Sequence, residues 1–197
     1  MAGTAAAAAL VLGPAAPVHA EKWKHTDATA DVSVFQGSTT PVASPGSGPE
    51  DIRQLKVDYA SHRVTFSVKT GAIHLVDGPP SISPAADPYL RLKDSNHQQW
   101  AIAVQEPLGS PIGTVTVTMS GAGQTVSCPG LTVVPDVAAA TWVVRLKASC
   151  IGSPEWIKAG ALILERGSFA QTLDDALKDG PSPYSLAPEV GARVHRN

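Results

Sequence analysis

Apolar and polar side chains alternate one by one along residues 51–70, on both sides of a short polar break at Ser61-His62-Arg63. The apolar positions are Leu55, Val57 and Tyr59 before the break and Val64, Phe66 and Val68 after it. A period of two predicts two antiparallel strands and a turn, with one apolar and one polar face. An isolated hairpin is at best marginally stable in water, so this apolar face requires a second sheet to cover it.

The same alternation recurs further along the chain. Residues 113–128 predict a second hairpin that reverses at Gly121-Ala122-Gly123, and residues 141–150 and 156–165 predict two more strands. Shorter strands are predicted at residues 31–35, 89–92 and 97–106. Many short alternating strands separated by Gly and Pro predict an all-β fold, an antiparallel β-sandwich with a jelly-roll-like arrangement.

Three segments interrupt this pattern. Residues 36–50 are rich in Gly, Ser, Thr and Pro, which predicts a mobile surface loop without a regular element. Residues 173–179 fit one helical turn or a loop, and residues 190–194 fit a last edge strand. The chain therefore divides into a sandwich core at 51–166, an N-terminal strand with its loop at 21–50, and a C-terminal segment at 167–197.

The first twenty residues predict a signal peptide rather than part of the fold. An apolar run at residues 5–12 is followed by Pro14 and Pro17, and Val18-His19-Ala20 fits a cleavage site of small residues, so cleavage is expected after Ala20. No Lys or Arg precedes Lys22, which leaves a low-complexity tail, or a start codon further upstream, as the alternatives. No segment has the ~20 apolar residues that a membrane span needs, so a secreted, extracellular protein is expected.

Composition and cysteine content support this interpretation. The chain has 197 residues, of which 43% are hydrophobic, which is enough for a sizeable core. A formal charge of −2 gives no electrostatic signature of a nucleic-acid partner or of an anionic membrane surface. Cys128 and Cys150 are the only cysteines, and an exported domain with an even number usually pairs them, so a structural disulfide is predicted.

Six aspartates lie at the ends of predicted elements, where their oxygens could converge on a Ca²⁺ ion, which takes six to eight oxygen ligands. The candidate ligands are Asp27, Asp31, Asp51, Asp174 and Asp175, with Asp179 close by in the sequence. The alternative is that these side chains only bond their own backbone in turns, which is the commonest role of Asp there. Apart from this structural Ca²⁺, no cofactor is predicted.

Aromatic residues give a second candidate site, because flat rings cover the apolar faces of sugars. Trp100 and Trp142 follow the apolar alternation and are predicted to be core residues. Trp23, near the N-terminus, and Trp156, at a turn, remain as candidate ligand-binding rings on the surface.

Motifs for catalysis are missing from the sequence. G-x-S-x-G does not occur, the histidines after residue 20 are scattered singly, and no pair of carboxylates stands out as a glycosidase pair. The sequence therefore predicts a non-catalytic module that binds an extracellular ligand, a glycan or a protein. The alternatives are a structural interaction module of the cell envelope and a hydrolase whose site the sequence does not reveal.

Several of these residues together resemble a group of uncharacterised secreted proteins of actinomycetes. They are Asp27, Asp31-Val32, Asp51-Ile52, Cys128, residues 150–156 and Asp174-Asp175. The resemblance implies no assigned activity. More distantly, the Asp-Ile entry into two alternating strands is similar to DOMON and family 9 carbohydrate-binding domains, which implies a jelly-roll-like sandwich with a ligand cleft. Haem-binding DOMON modules use Met and His ligands, and the chain departs from them because Met119, its only Met after the first twenty residues, is patterned inward.

Overall fold

A computed structural model describes residues 21–35, 42–44, 48–75, 86–105, 114–166, 171–179 and 187–197. The predicted signal peptide, residues 1–20, lies outside this part of the chain. The described residues form strands and one short 3-10 helix, Ala148–Ile151, and no α-helix. Within the same residues, no helix is long and apolar enough to cross a membrane.

The strands belong to two antiparallel sheets. The strands are β1 (Glu21–Thr26), β2 (Val32–Phe35), β3 (Val42–Ser44), β4 (Ile52–Ala60), β5 (Arg63–Thr70), β6 (Ala86–Asp94), β7 (Gln99–Gln105), β8 (Thr116–Gly121), β9 (Gln124–Thr125), β10 (Thr132–Asp136), β11 (Thr141–Lys147), β12 (Trp156–Arg166), β13 (Gln171–Asp175) and β14 (Val194–His195). Sheet A has the order β1-β4-β5-β11-β10, and sheet B has the order β3-β2-β13-β12-β6-β7-β8-β9, with β14 also paired to β12. The predicted all-β sandwich is confirmed.

The core lies between the two sheets and is built by the alternation that the sequence displays. In the β4–β5 hairpin, all six apolar positions predicted to face inward are at most 1% exposed. These side chains share a core with inward residues of sheet B such as Leu90, Ile102 and Ile157, each fully buried. Trp142 is 2% exposed, as predicted, and the half-buried Trp100 packs against the edge of the same core. The β4–β5 hairpin therefore directs its polar side chains to the outer face of sheet A. A second, smaller cluster of buried apolar residues is formed by Phe35, Leu162, Leu164 and Leu173 of sheet B.

Several local predictions differ from the structure. The returning strand of the second hairpin, predicted up to Cys128, is limited to Gln124–Thr125. Val42–Ser44, inside the predicted loop, forms β3, because the free edge of β2 offers hydrogen bonds to any short extended segment. The strand predicted to reach Cys150 ends at Lys147 and continues as the 3-10 helix. Gln171–Asp175 is strand β13 rather than a helical turn, and the last strand is limited to Val194–His195.

The disulfide closes one end of the sandwich. Cys128 and Cys150 are bonded, with their Cα atoms 5.3 Å apart, as the sequence predicts. The 3-10 helix that carries Cys150 begins where β11 ends, and the Ala148 N–H donates to the His62 carbonyl, 2.9 Å away, in the β4–β5 turn. This end of sheet A is therefore pinned covalently, while the opposite end, where β4 begins and β5 finishes, depends on other interactions.

A buried hydroxyl connects the two sheets near the disulfide end. Tyr59, on β4, is fully buried and its hydroxyl donates to the Pro154 carbonyl, 2.7 Å away, just before β12. Burial raises the pKa of this phenol to about 12. We expect Tyr59→Phe to lower the free energy of unfolding by about 1 to 2 kcal/mol, because it leaves a buried carbonyl without its donor. Urea denaturation measures this, and a change below about 0.5 kcal/mol would contradict the assignment.

Candidate metal centre

Aspartates from both sheets meet at the end of the sandwich opposite the disulfide. Asp27 follows β1 and Asp51 precedes β4, both in sheet A, whereas Asp31 precedes β2 and Asp174 lies on β13, both in sheet B. Strand ends from the two sheets come together there because β1 and β4 are neighbours in one sheet and β2 and β13 are neighbours in the other.

The carboxylates form two triads that share one member. One oxygen from each of Asp27, Asp31 and Asp179 lies within 4.8 Å of the others, and the same holds for Asp31, Asp51 and Asp174. Except for the exposed Asp179, these side chains are 9% exposed or less. We call the five residues the acidic cluster. Of the six aspartates that the sequence singles out, the structure thus brings five together.

Backbone hydrogen bonds fix the cluster in place. The Ala30 N–H donates to Asp51 Oδ1 over 2.8 Å, and the Ile52 N–H donates to Asp174 Oδ2. Ala30 itself has a φ of 64°, in the left-handed region that a side chain rarely adopts. The chain therefore makes a tight, strained reversal between Asp27 and Asp31, which directs both carboxylates to the same space.

The cluster concentrates negative charge in a place with little water. Burial, followed by repulsion from Asp174 and Asp31, raises the pKa of Asp27 to about 9. Burial also raises the pKa of Asp174 to about 8, although the hydrogen bond from Ile52 opposes the shift. Arg53 supplies one positive charge, since its Nε lies 3.2 Å from Asp51 Oδ2. One guanidinium does not neutralise five carboxylates. Because their raised pKa values lie above neutral pH, Asp27 and Asp174 hold protons there when no cation is bound.

The two carboxylate oxygens of Asp27 differ in their hydrogen bonding among the described residues. Asp27 is 5% exposed, and its Oδ1 accepts a hydrogen bond from the Ala28 N–H at 3.1 Å. Its Oδ2 is buried and has no hydrogen-bond partner among the described residues. Buried carboxylate oxygens are almost always paired with a donor or coordinate a metal.

Asp175, the fifth aspartate predicted as a ligand, lies outside the cluster. Adjacent residues of a strand point to opposite faces, so Asp174 on β13 faces the space between the sheets and Asp175 faces away. The Asp175 carboxylate instead accepts hydrogen bonds from the Leu177 N–H at 3.2 Å and the Glu189 N–H at 3.0 Å. The sequence prediction included it because residues 173–179 were not recognised as a strand.

Trp23 and Trp156, predicted as ligand-binding rings, do not form one platform. Trp23 points inward from the edge of sheet A and lies against Gly191, where an added Cβ would be 2.4 Å from the ring. Trp156 is next to the buried Ile157 on β12 and so points to the outer side of sheet B, where the Arg193 guanidinium carbon lies 4.5 Å from the ring centre. Each ring is thus engaged with the C-terminal segment, on a different face of the sandwich.

Comparison of the chain with protein-family models, with curated proteins and with solved structures finds no match. The chemistry of the acidic cluster therefore has to be argued from its own geometry.

Sequence reasoning missed one member of the site. Arg53 stands two residues after Asp51, and its Nε donates a hydrogen bond to the Asp51 carboxylate. The pair lies at the bulged start of β4. Residues two apart on a strand point to the same side, so the alternation at the start of β4 was a signal that could have identified this pair.

Proposed function

We propose that this protein is a non-catalytic extracellular binding module whose acidic cluster holds Ca²⁺. The observation that carries the proposal is the buried Asp27 Oδ2, which has no hydrogen-bond partner in the described part of the chain and belongs to a side chain that lies in one of the two carboxylate triads. A cation there would supply the missing partner and neutralise the charge that burial leaves unscreened.

The ligand set favours calcium over other metals. Both triads consist of carboxylates, and neither contains a histidine or a thiolate, the ligands that favour zinc and copper. The oxygens come from loops and strand ends of three segments, which suits the large and flexible coordination sphere of Ca²⁺ better than the rigid octahedron of Mg²⁺. Extracellular fluids supply Ca²⁺, and the disulfide is typical of proteins in oxidising compartments.

The proposed ion would act as a second clasp for the sandwich. Asp51 belongs to sheet A and Asp174 to sheet B, so an ion between them links the two sheets at the end that the disulfide leaves open. Asp27 and Asp31 would tie the β1–β2 connection to the same point. The ion is therefore structural in this proposal, and it holds the outer sheet faces in fixed positions for binding.

An apolar docking surface has less support as the basis of function. In the part of the chain that the structure describes, the exposed large hydrophobic residues are Val134 and Val137, on the edge strand β10 and the turn after it. Two valines fall well short of the several hundred Å² of contiguous apolar surface that typically marks a protein-interaction site.

Calcium titration of the metal-free protein by isothermal calorimetry tests the proposal. We expect Asp27→Asn to weaken Ca²⁺ binding at least about tenfold, because it removes a charged ligand that the site's affinity depends on. Asp175→Asn is the matched control, since it removes an equally buried carboxylate one residue from Asp174 that bonds elsewhere, and we expect the wild-type affinity. A wild-type protein that shows no binding up to about 10⁻³ M, the weak end for extracellular calcium modules, would refute the proposal.

A further inference from the structure

The outer face of sheet A is unusually rich in cations. On β1 the outward side chains include Lys22 and Lys24, and on the neighbouring β4 they include Lys56. All three are exposed, with Lys22 at 73% for its side chain. Lys24 and Lys56 are directly opposite each other in the β1–β4 register.

The other half of the face repeats this arrangement. Strand β5 presents Arg63 and Lys69, and β11 presents Arg145 and Lys147, all on the side away from the core. Arg63 and Lys147 are directly opposite each other. Like charges at opposed positions destabilise an antiparallel pair, so two such pairs in one sheet cost stability unless an anion lies over them.

Few carboxylates offset these cations. The outward positions of the five strands carry two acids, Asp58 and Asp136. Asp58 pairs with Lys22 at 3.3 Å, and Asp136 accepts a hydrogen bond from the Ala139 N–H in its own turn. Seven cations against two carboxylates leave the face at +5. Because the whole chain carries −2, the rest of it carries −7. The near-neutral total thus conceals a strong separation of charge.

The geometry of the face indicates the shape of its partner. Neighbouring strands are about 4.8 Å apart and outward residues recur about every 6.8 Å along a strand, so the cations form an open lattice. Arg63, Arg145 and Lys147 of this lattice also line an open depression of about 540 Å³ at the disulfide end of the face. Such a lattice matches a linear polymer with regularly repeated negative groups. The outward positions of the five strands contain no aromatic ring, which single-stranded nucleic acids need for base stacking.

We propose that the outer face of sheet A, the basic face, binds a linear anionic polysaccharide through its carboxylate or sulfate groups. Charge complementarity argues for the anion, the regular spacing of the cations over five strands for the polymer, and the disulfide for an extracellular source. This proposal goes beyond the calcium site and does not depend on it, since the basic face points away from the acidic cluster's inter-sheet space.

Retention on immobilised polymers tests the proposal, in buffer with free Ca²⁺. The probes are dextran sulfate for sulfate groups and hyaluronate for carboxylates, with neutral dextran as the uncharged comparison. We expect binding to at least one anionic polymer and not to dextran, with affinity falling at least about tenfold between about 50 and about 200 mM NaCl, because counterions are released on binding.

Two double variants localise the binding. We expect Lys24→Gln with Lys56→Gln, and Arg63→Gln with Lys147→Gln, each to weaken retention at least about fivefold without lowering the melting temperature, since both remove repulsion. The control is Lys93→Gln with Lys158→Gln, which removes an opposed pair of lysines from the outer face of sheet B. It changes the net charge equally, and we expect the wild-type affinity.

The outcomes separate this proposal from the calcium site. Calcium binding without retention on either anionic polymer overturns the basic face alone. Polymer binding without calcium binding overturns only the metal centre. Equal loss in the sheet B control, tighter binding to single-stranded DNA than to either polysaccharide, or cosedimentation with anionic lipid vesicles in preference to the polymers would each refute an anionic polysaccharide as the partner of this face.

Discussion

We expect Ca²⁺, added to the metal-free protein, to raise its stability by about 4 kcal/mol when the free ion exceeds the dissociation constant about a thousandfold. For a domain of this size, that corresponds to a melting temperature higher by about 10 °C. The reason is that the proposed ion would bind the assembled carboxylates of Asp27, Asp31, Asp51 and Asp174, which come from three separate segments and are dispersed in the unfolded chain. Scanning calorimetry with and without Ca²⁺ measures the shift.

Asp27→Asn gives the sharpest control for this shift, because its effect should change sign with the metal. Without Ca²⁺ the variant should be more stable than the wild type at neutral pH, since Asp27, whose pKa burial raises to about 9, must take up a proton on folding and an asparagine need not. With Ca²⁺ it should be less stable, since it has lost a ligand. Asp175→Asn should respond to Ca²⁺ as the wild type does. A variant that is destabilised equally in both conditions would show that Asp27 is a structural turn residue and not a metal ligand.

The sandwich could be predicted from the sequence because its strands are amphipathic. The alternation from Leu55 to Val68 determines which side of β4 and β5 faces the core, and this needs no knowledge of the other sheet. Strand β13 was not predicted, because it lacks this alternation. Its middle residues, Leu173, Asp174 and Asp175, are all buried, so no apolar–polar alternation marks it as a strand.

The candidate metal centre was predictable in composition but not in geometry. Asp27, Asp31 and Asp51 stand at strand ends in the sequence, where converging oxygens are a reasonable expectation. Choosing Asp174 over Asp175 requires knowing that both lie on a strand and which face is inward. The basic face was not predicted at all, because opposed pairs such as Lys24 and Lys56 become visible only when the strand order and register are known.

The stability of the metal-free protein should fall as the pH rises from about 5 to about 8. In the folded state the pKa of Asp27 is raised to about 9 and that of Asp174 to about 8, whereas both are near 3.9 in the unfolded chain. Between these values the folded state binds more protons than the unfolded state. Each additional proton therefore makes the free energy of unfolding decrease by up to about 1.4 kcal/mol per pH unit.

Calcium should reverse this trend, because it competes with protons for the carboxylates of the acidic cluster. The cluster also contains Asp31, Asp51 and Asp179, and Arg53 forms an ion pair with Asp51. The Ca²⁺-induced rise in melting temperature should thus be small near pH 5 and largest near pH 8, as the ion displaces fewer protons at higher pH.

Melting curves with and without added Ca²⁺, on protein first depleted of metal by a chelating resin, measure how stability changes with pH in both conditions. Asp27→Asn should flatten the metal-free slope, and comparison with it removes the contribution of the histidines, which both proteins share. A metal-free melting temperature that rises over this range, or a calcium effect independent of pH, would contradict a buried, uncompensated set of carboxylates at this end of the sandwich.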